Sequence, residues 1–242
     1  MKKKLNPDFV TGFSDAEACF HVSILRNTKF NVGMSVGVFF QISLNKRDKS
    51  LLMELKDYFG VGNIRYRKDG VLFYQVFTVK DLKRVIEHFD KYPLVTKKQA
   101  DYLLFKMAID LIDNKEHLTM EGLRKLVSIR ASMNFGISES LKEVFPNIIP
   151  ITTPELNNAL NLNPHWLSGF TSGEGCFFID IAKSLTKIGV RVQLVFRISQ
   201  HIRDIELIKS IISYLDCGKL KQTKSHKNVE LSVQRFSDIL EK

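Results

Sequence analysis

Residues Leu5–Phe20 read LNPDFVTGFSDAEACF, and residues Leu162–Phe177 read LNPHWLSGFTSGEGCF. Placed over each other at an offset of 157 with no gap, they are identical at 8 of 16 positions. A second stretch, 40–64, matches 196–220 at an offset of 156. Self-similarity of this strength does not arise by chance in a chain of ordinary complexity. The sequence therefore predicts two copies of one structural unit.

A proline-rich segment separates the two copies. Four of the six prolines in the chain are Pro146, Pro150, Pro154 and Pro164. Prolines gathered between repeats indicate a linker. We therefore predict a first repeat over 1–147, a linker over 148–163 and a second repeat over 164–242. The first copy continues after residue 64 through three stretches of helical pattern that the second copy lacks, so the second repeat is expected to be C-terminally truncated.

The composition is that of a folded, basic protein. Of 242 residues, 44% are hydrophobic, which excludes a disordered or collagen-like chain. The chain has 36 Lys and Arg residues and 26 Asp and Glu residues, which gives a formal net charge of +10. This charge suggests an anionic partner, and it favours nucleic acid over a membrane surface. The three cysteines form no Cys-x-x-Cys pair, so a zinc site is not indicated. We expect them to be small core or interface residues.

Each copy begins with a helix of about three turns. Asn6-Pro7 and Asn163-Pro164 each place an N-cap residue before a proline at the first helical position. Small residues then lie four positions apart on one helix face, and they are Gly12, Ala16, Gly169 and Gly173. Small residues at this spacing let two helix backbones approach closely, so we expect the two helices to pack on each other.

Alternation of apolar and polar residues follows each helix and predicts half-buried antiparallel strands. Two long strands in each copy are followed by a helix and two shorter strands. The predicted helices are 48–58 and 204–215, and the predicted shorter strands are 62–68, 71–78, 218–223 and 229–235. The fold expected is α+β, with two pseudo-symmetric αββαββ(α) repeats. Each repeat is a four-stranded antiparallel sheet covered by helices, and the repeats pack through their first helices.

The other face of each predicted sheet is polar. Its side chains are of the types that bind base edges and phosphates in the DNA major groove. An ordinary solvated sheet face explains the alternation as well, and only the basic charge brings the two interpretations near even. The candidate contacts are His21, Ser23, Ser35, Gln41, Ser43, Arg65, Arg67, Gln75, Asp180, Arg191, Gln193, Arg197, Ser199, Lys219, Lys221, Glu230 and Gln234.

Glu17 and Glu174 occupy the same place in each copy, at the C-terminal end of the first helix. The helix dipole is negative there, and two packed helices would bring two repelling carboxylates together. A divalent cation removes both problems, because Mg²⁺ binds carboxylate and phosphate oxygens. Such a site also supports phosphodiester hydrolysis. The alternative is a pair of exposed glutamates retained by duplication.

Val10–Ala18 (VTGFSDAEA) and Leu167–Gly175 (LSGFTSGEG) resemble the two motifs of the LAGLIDADG homing endonucleases. The resemblance is closest to the single-chain, two-motif enzymes of fungal mitochondrial introns, and it covers nearly the whole chain. Two positions depart from the motif. Ala18 stands where Gly is usual, and Ser172 stands where Asp is usual.

The resemblance implies a monomeric, mitochondrial endonuclease that cleaves both strands of a long, asymmetric DNA site. It implies that Glu17 and Glu174 are catalytic and bind Mg²⁺, with Mn²⁺ or Ca²⁺ able to occupy the same site. It also implies a one-sided active-site role for Gln200. Lys98, or its neighbour Lys97, resembles the peripheral active-site lysine of the family.

Two other functions stay open. The first is a non-cleaving nucleic-acid binder, either an intron RNA maturase or a degenerate DNA-binding protein, which the short second copy favours. The second is a duplicated structural protein, whose binding would show no dependence on salt. No membrane partner is expected, because no apolar run approaches the ~20 residues of a spanning helix. The N-terminus also shows no presequence.

Overall fold

The computed structural model describes residues 4–134, 136–154, 162–185, 187–222 and 227–241. These residues form two compact units. Unit 1 takes the described residues before Asp8 and those from Ala18 to Pro154, and unit 2 takes Asp8–Glu17 and the described residues from Leu162 onward. The helix of the first motif thus belongs to unit 2. Residues 155–161 of the predicted linker lie outside the described residues.

Unit 1 contains a four-stranded antiparallel sheet with the order β1-β2-β4-β3. Its strands are β1 (Ala18–Arg26), β2 (Met34–Asn45), β3 (Asn63–Tyr66) and β4 (Val71–Val76). Its helices are α2 (Lys49–Phe59), α3 (Val79–Lys91), α4 (Lys98–Asp113), α5 (Met120–Ser132) and α6 (Glu139–Val144). The first helix of the chain, α1, spans Pro7–Glu17. The predicted αββαββ order is confirmed.

The core of unit 1 lies between the sheet and helices α3 and α4. The Phe20 ring from β1 lies 5.5 Å from Phe89 of α3 and 5.4 Å from both Tyr102 and Phe105 of α4, measured between ring centroids. Phe20 is 2% exposed. Burying a side chain of this size contributes about 2–3 kcal/mol. The apolar positions of the alternation therefore face these helices, and the polar positions face away.

Burial of His88 on α3 makes the stability of unit 1 depend on pH. His88 is 6% exposed, its Nδ1 lies 3.0 Å from the Tyr58 hydroxyl oxygen, and burial lowers its pKa to about 4. The unfolded chain, with a histidine pKa of about 6.5, binds more protons between these values. Stability is therefore complete above pH ~6.5 and falls as the pH is lowered towards 4.

We expect unit 1 to lose about 2 kcal/mol of unfolding free energy between pH 7 and pH 5 through this histidine. Urea unfolding at the two pH values measures the loss. The His88→Phe variant should lose less over the same interval, because it has no imidazole to protonate. A variant that loses as much as the parent would show that other groups cause the pH dependence.

Unit 2 repeats the sheet with the order β5-β6-β8-β7. Its strands are β5 (Gly175–Lys183), β6 (Val190–His201), β7 (Lys219–Gln222) and β8 (Asn228–Val233). Its helices are α7 (Pro164–Glu174), α8 (Ile205–Leu215) and α9 (Phe236–Glu241), together with α1. None of the described helices has the length and apolar character needed to cross a membrane.

The apolar face of β5 is exposed, so the prediction that this strand is half-buried was wrong. Phe177, Ile179 and Ile181 are 70%, 61% and 68% exposed, whereas the equivalent positions of β1 are at most 7% exposed. In unit 1 these positions are covered by α3 and α4. The described residues of unit 2 include no helices equivalent to those two. Alternation identifies an apolar face, but it does not supply the element that covers it.

Candidate active site and nucleic-acid interface

Helices α1 and α7 pack backbone against backbone. A Cβ atom added to Gly12 would lie 2.0 Å from the Trp166 carbonyl oxygen, and one added to Gly169 would lie 2.1 Å from the Phe9 carbonyl oxygen. No larger side chain fits at either position without moving a helix. This close approach explains why each helix carries a glycine that costs about 1 kcal/mol relative to alanine.

A buried polar pair joins the same helices. The Trp166 indole Nε1–H donates to Asp15 Oδ2 at 2.8 Å, and each residue is 3% exposed. Sequence reasoning missed this pair. Asp15 is the sixth residue of the first motif, where the second motif has Ser172. A buried carboxylate is strongly destabilising when its hydrogen-bond donors are removed, so this contact helps to hold the two helices together.

We expect Trp166→Phe to lower the free energy of unfolding by about 2–4 kcal/mol, because it removes a donor to a buried carboxylate. Urea denaturation measures the change. In an Asp15→Leu background the same substitution should cost less, since no carboxylate is left without its indole donor. Equal costs in the two backgrounds would show that the loss comes from packing alone.

Glu17 and Glu174 are the last residues of the two packed helices. A Cβ atom added to Gly173 would lie 2.5 Å from the Ala16 Cβ, 3.0 Å from the Glu17 Cγ and 3.3 Å from the Glu17 Oε1. The Glu17 side chain therefore lies against the residue that precedes Glu174. Both glutamates are half-buried. The packing of α1 and α7 brings the two carboxylates to the same end of the helix pair.

This donor set fits a divalent cation. Both carboxylates sit at the negative end of a helix dipole, and neither helix has a basic residue in its last turn. The described residues contain no cluster of three or more Asp, Glu, His or Cys side chains suited to a metal. Mg²⁺ is commonly held by one or two carboxylates together with substrate phosphates and water. Glu17 and Glu174 would be its protein ligands.

The strand register places the candidate contacts of unit 1 on one face of its sheet. His21 lies opposite Phe39 on the neighbouring strand. Gln41 donates through Nε2 to Ser43 Oγ at 2.9 Å and accepts from Gln75 Nε2 at 3.4 Å. The face carries the predicted residues of this copy, which are His21, Ser23, Ser35, Gln41, Ser43, Arg65 and Gln75, with Arg67 just beyond β3.

Aromatic rings lie among these polar groups, and sequence reasoning missed them. The Phe39 ring stacks on the His21 ring with centroids 4.6 Å apart, and the Arg67 guanidinium lies 5.2 Å from the centroid of Phe73. The signal was present, because the consecutive Phe39 and Phe40 break the alternation. One of two adjacent residues on a strand must face the polar side.

The register of unit 2 gathers its candidate contacts in the same way. Arg197 lies over the Phe178 ring at 5.1 Å, and its Nε is 3.4 Å from Glu230 Oε2. The Arg191 Nη2 donates to Asp180 Oδ2 at 3.3 Å. Both arginines are thus held in place on the sheet face. The residues of this face are Asp180, Arg191, Gln193, Arg197, Ser199, Lys219, Lys221 and Glu230, with Gln234 just beyond β8.

The structure separates Gln200 from this polar face. Gln200 pairs with Val229, on the side of β6 opposite to Ser199. It also lies beyond the pairing of Gly175 with Ile198, where β5 begins. An active-site role for Gln200 stays a prediction, and it would be exerted from beside the start of β5 rather than from the sheet face.

Of the two candidate lysines, Lys98 is the one beside the start of β1. Lys98 is half-buried at the first residue of α4, whereas Lys97 is exposed. Burial raises the pKa of the Cys19 thiol on β1, and the nearby Lys98 ammonium partly opposes that rise. Although the Cys19 thiol is partly desolvated, Cys19 and Cys176 are exposed as residues, so they are not core residues, and an interface role for them stays a prediction. Both stand at positions where the alternation faces the polar side.

The chain matches the family model described as LAGLIDADG endonuclease over residues 10–109 and 167–242. The chain belongs to the LAGLIDADG endonuclease family. It is 40% identical to "Probable intron-encoded endonuclease 2" of Neurospora crassa, over 98% of this chain and 54% of that protein. This LAGLIDADG chain thus spans about half the length of the curated relatives that it matches.

Solved structures of the family share the fold of this LAGLIDADG protein. The homing endonuclease I-SmaMI bound to cleaved DNA has a TM-score of 0.95 and 42% identity, over 99% of this chain and 81% of that one. I-SmaMI bound to an uncleaved DNA target in the presence of calcium ions has a TM-score of 0.94 and 42% identity, over 98% and 82%. The predicted α+β architecture of two four-stranded sheets is confirmed.

Proposed function

We propose that this LAGLIDADG protein is a site-specific, Mg²⁺-dependent double-strand DNA endonuclease that acts in mitochondria as a monomer. The observation that carries the proposal is the pair of half-buried carboxylates, Glu17 and Glu174, at the joined ends of α1 and α7. Their charges repel each other and oppose both helix dipoles. Nucleic-acid binding alone does not require two carboxylates at this position, whereas a divalent cation takes carboxylate ligands.

Different residues of the chain have different roles in the proposed cleavage reaction. Glu17 and Glu174 would hold the cation, and a cation bound there would supply activation of water and stabilisation of the leaving oxygen of the phosphodiester. Lys98 supplies positive charge where negative charge develops on the phosphate. The arginines and glutamines of the two sheet faces bind guanine and adenine edges in the major groove, with phosphate contacts fixing the register on the DNA.

The cation site is proposed to accept other divalent ions. I-SmaMI was solved with an uncleaved target in the presence of calcium ions. We infer that Ca²⁺ also supports DNA binding by this chain without cleavage, and that Mn²⁺ replaces Mg²⁺ in the reaction. Both ions take the hard oxygen ligands that Glu17 and Glu174 provide.

The experiment begins with selection of a duplex from a randomised DNA library by the protein in Ca²⁺. The recovered sequence is placed in a plasmid and incubated with the protein in Mg²⁺ or in EDTA. We expect linear plasmid in Mg²⁺ and intact plasmid in EDTA. Tight, salt-dependent binding without cleavage in Mg²⁺ or Mn²⁺ would instead indicate a non-cleaving binder, which intron RNA can then test. No binding of either nucleic acid would indicate a structural protein.

A further inference from the structure

The segment that follows the last turn of α5 is hydrogen-bonded to an edge strand of the sheet in unit 1. Among the described strands, β1 lies at the edge of its sheet and pairs with β2 alone. Beyond the end of α5, the Asn134 backbone N–H donates to Asp101 Oδ1 of α4 at 2.9 Å. The Asn134 side chain donates through Nδ2 to the Phe20 carbonyl oxygen of β1 at 3.4 Å. These contacts hold the end of α5 beside the first residues of β1.

Arg130 lies in that turn, and none of the described residues forms an ion pair with its guanidinium. It is half-buried, and its Nη1–H donates to the Met133 carbonyl oxygen at 3.0 Å. Within the described ranges, no carboxylate forms an ion pair with it. Burial lowers the pKa of Arg130, but arginine stays charged at any physiological pH. A partly desolvated guanidinium that forms no direct ion pair is costly, so the position favours an incoming anion.

The titratable groups around Arg130 do not supply that anion. Burial raises the pKa of the Cys19 thiol, with Asp101 adding to the rise, so the thiol stays neutral. Burial and the Arg130 charge lower the pKa of His21, so its imidazole is neutral at pH 7. Asp101 acts on both Cys19 and Arg130, but its carboxylate already accepts the Asn134 N–H.

We propose that Arg130 binds a backbone phosphate of the DNA target at the edge of β1, together with Lys98. The proposal rests on the proposed function, because it needs DNA on the polar face that Cys19 and His21 share. The planar guanidinium suits a phosphate, to which it donates two parallel hydrogen bonds.

The test measures the affinity for the selected duplex in Ca²⁺ over a series of KCl concentrations. Arg130→Gln should weaken binding roughly tenfold, as expected for a lost charge-assisted hydrogen bond. It should also reduce the slope of log K against log [KCl] by about 0.9, the value for one phosphate contact. Arg130→Lys should restore the slope. Arg124→Gln, on an exposed position of the same helix, should change neither quantity.

Replacing single phosphates of the duplex with uncharged analogues identifies the phosphate that Arg130 binds. Single methylphosphonates are placed along the duplex, and the position that weakens the parent but not Arg130→Gln marks the phosphate that Arg130 binds. If Arg130→Gln only lowers the melting temperature and keeps the parental slope and methylphosphonate pattern, Arg130 is structural and the proposal is wrong. If Arg130→Gln does not fold, Arg130→Lys provides the test. Because lysine keeps the positive charge, a slope of log K against log [KCl] smaller than that of the parent in Arg130→Lys would overturn the proposal. A parent protein that binds no duplex overturns the proposed function itself.

Discussion

Glu17→Gln and Glu174→Gln are each expected to lower the rate of DNA cleavage by about 10²–10³-fold, the effect of removing a group that stabilises charge in a transition state. The amide keeps the shape of the side chain but loses the charge that holds a cation. Affinity for the selected duplex in the absence of divalent ions should not fall, because a negative charge near the phosphates has been removed. Cleavage of the selected plasmid under single-turnover conditions measures the effect.

The matched control is Glu121→Gln on α5. Glu121 is 83% exposed and pairs only loosely with Lys125, at 3.4 Å. This variant should cleave at the parental rate. If Glu17→Gln and Glu174→Gln also cleave at that rate, the two glutamates are not metal ligands and the active site lies elsewhere. A loss confined to one of them would assign the metal to a single carboxylate.

Gly12→Ala and Gly169→Ala are expected to be the most destabilising small substitutions in unit 2. Each new methyl group would fall about 2 Å from a carbonyl oxygen of the facing helix, which is backbone that a side-chain rotation cannot relieve. Overpacking of this kind costs about 1–3 kcal/mol, and more where backbone must move. We expect at least about 3 kcal/mol from each variant in urea unfolding.

Gly37→Ala provides the control for this prediction. A Cβ atom there meets only the Ser23 Cβ, at 3.9 Å, so the substitution should be neutral or slightly stabilising. Because Glu17 and Glu174 depend on the same helix pair, Gly12→Ala should also reduce cleavage more than it reduces DNA binding. Unfolding free energies equal to that of Gly37→Ala would contradict the close helix packing.

Local and repeating features made much of the fold predictable. Alternation in 20–25 and 34–44 identifies two strands and their buried faces, and the repeated Asn-Pro pair marks both motif helices. The hydrogen bond between Asp15 and Trp166 was not predictable, because it joins residues 151 positions apart that share no pattern. The exposure of Phe177 was not predictable either, since it depends on what lies over the strand.

The part of the candidate site that is repeated in both copies was predictable from the sequence. Glu17 and Glu174 stand out because each motif carries one. Arg130 lies far along the chain from the motif, so only the folded position of α5 brings it to β1. The alternation does not assign Phe39 to the polar face, because its neighbour Phe40 satisfies the core pattern.

Binding of Mn²⁺ to the protein–DNA complex tests most directly whether the two glutamates form a metal site. Electron paramagnetic resonance reports free Mn²⁺ as the ion is titrated into the protein bound to a duplex that has already been cleaved at the target site. The parent should remove Mn²⁺ from solution, and the Glu17→Gln/Glu174→Gln variant bound to the same duplex should not. Equal Mn²⁺ binding by the two complexes would contradict the assignment of Glu17 and Glu174 as the ligands.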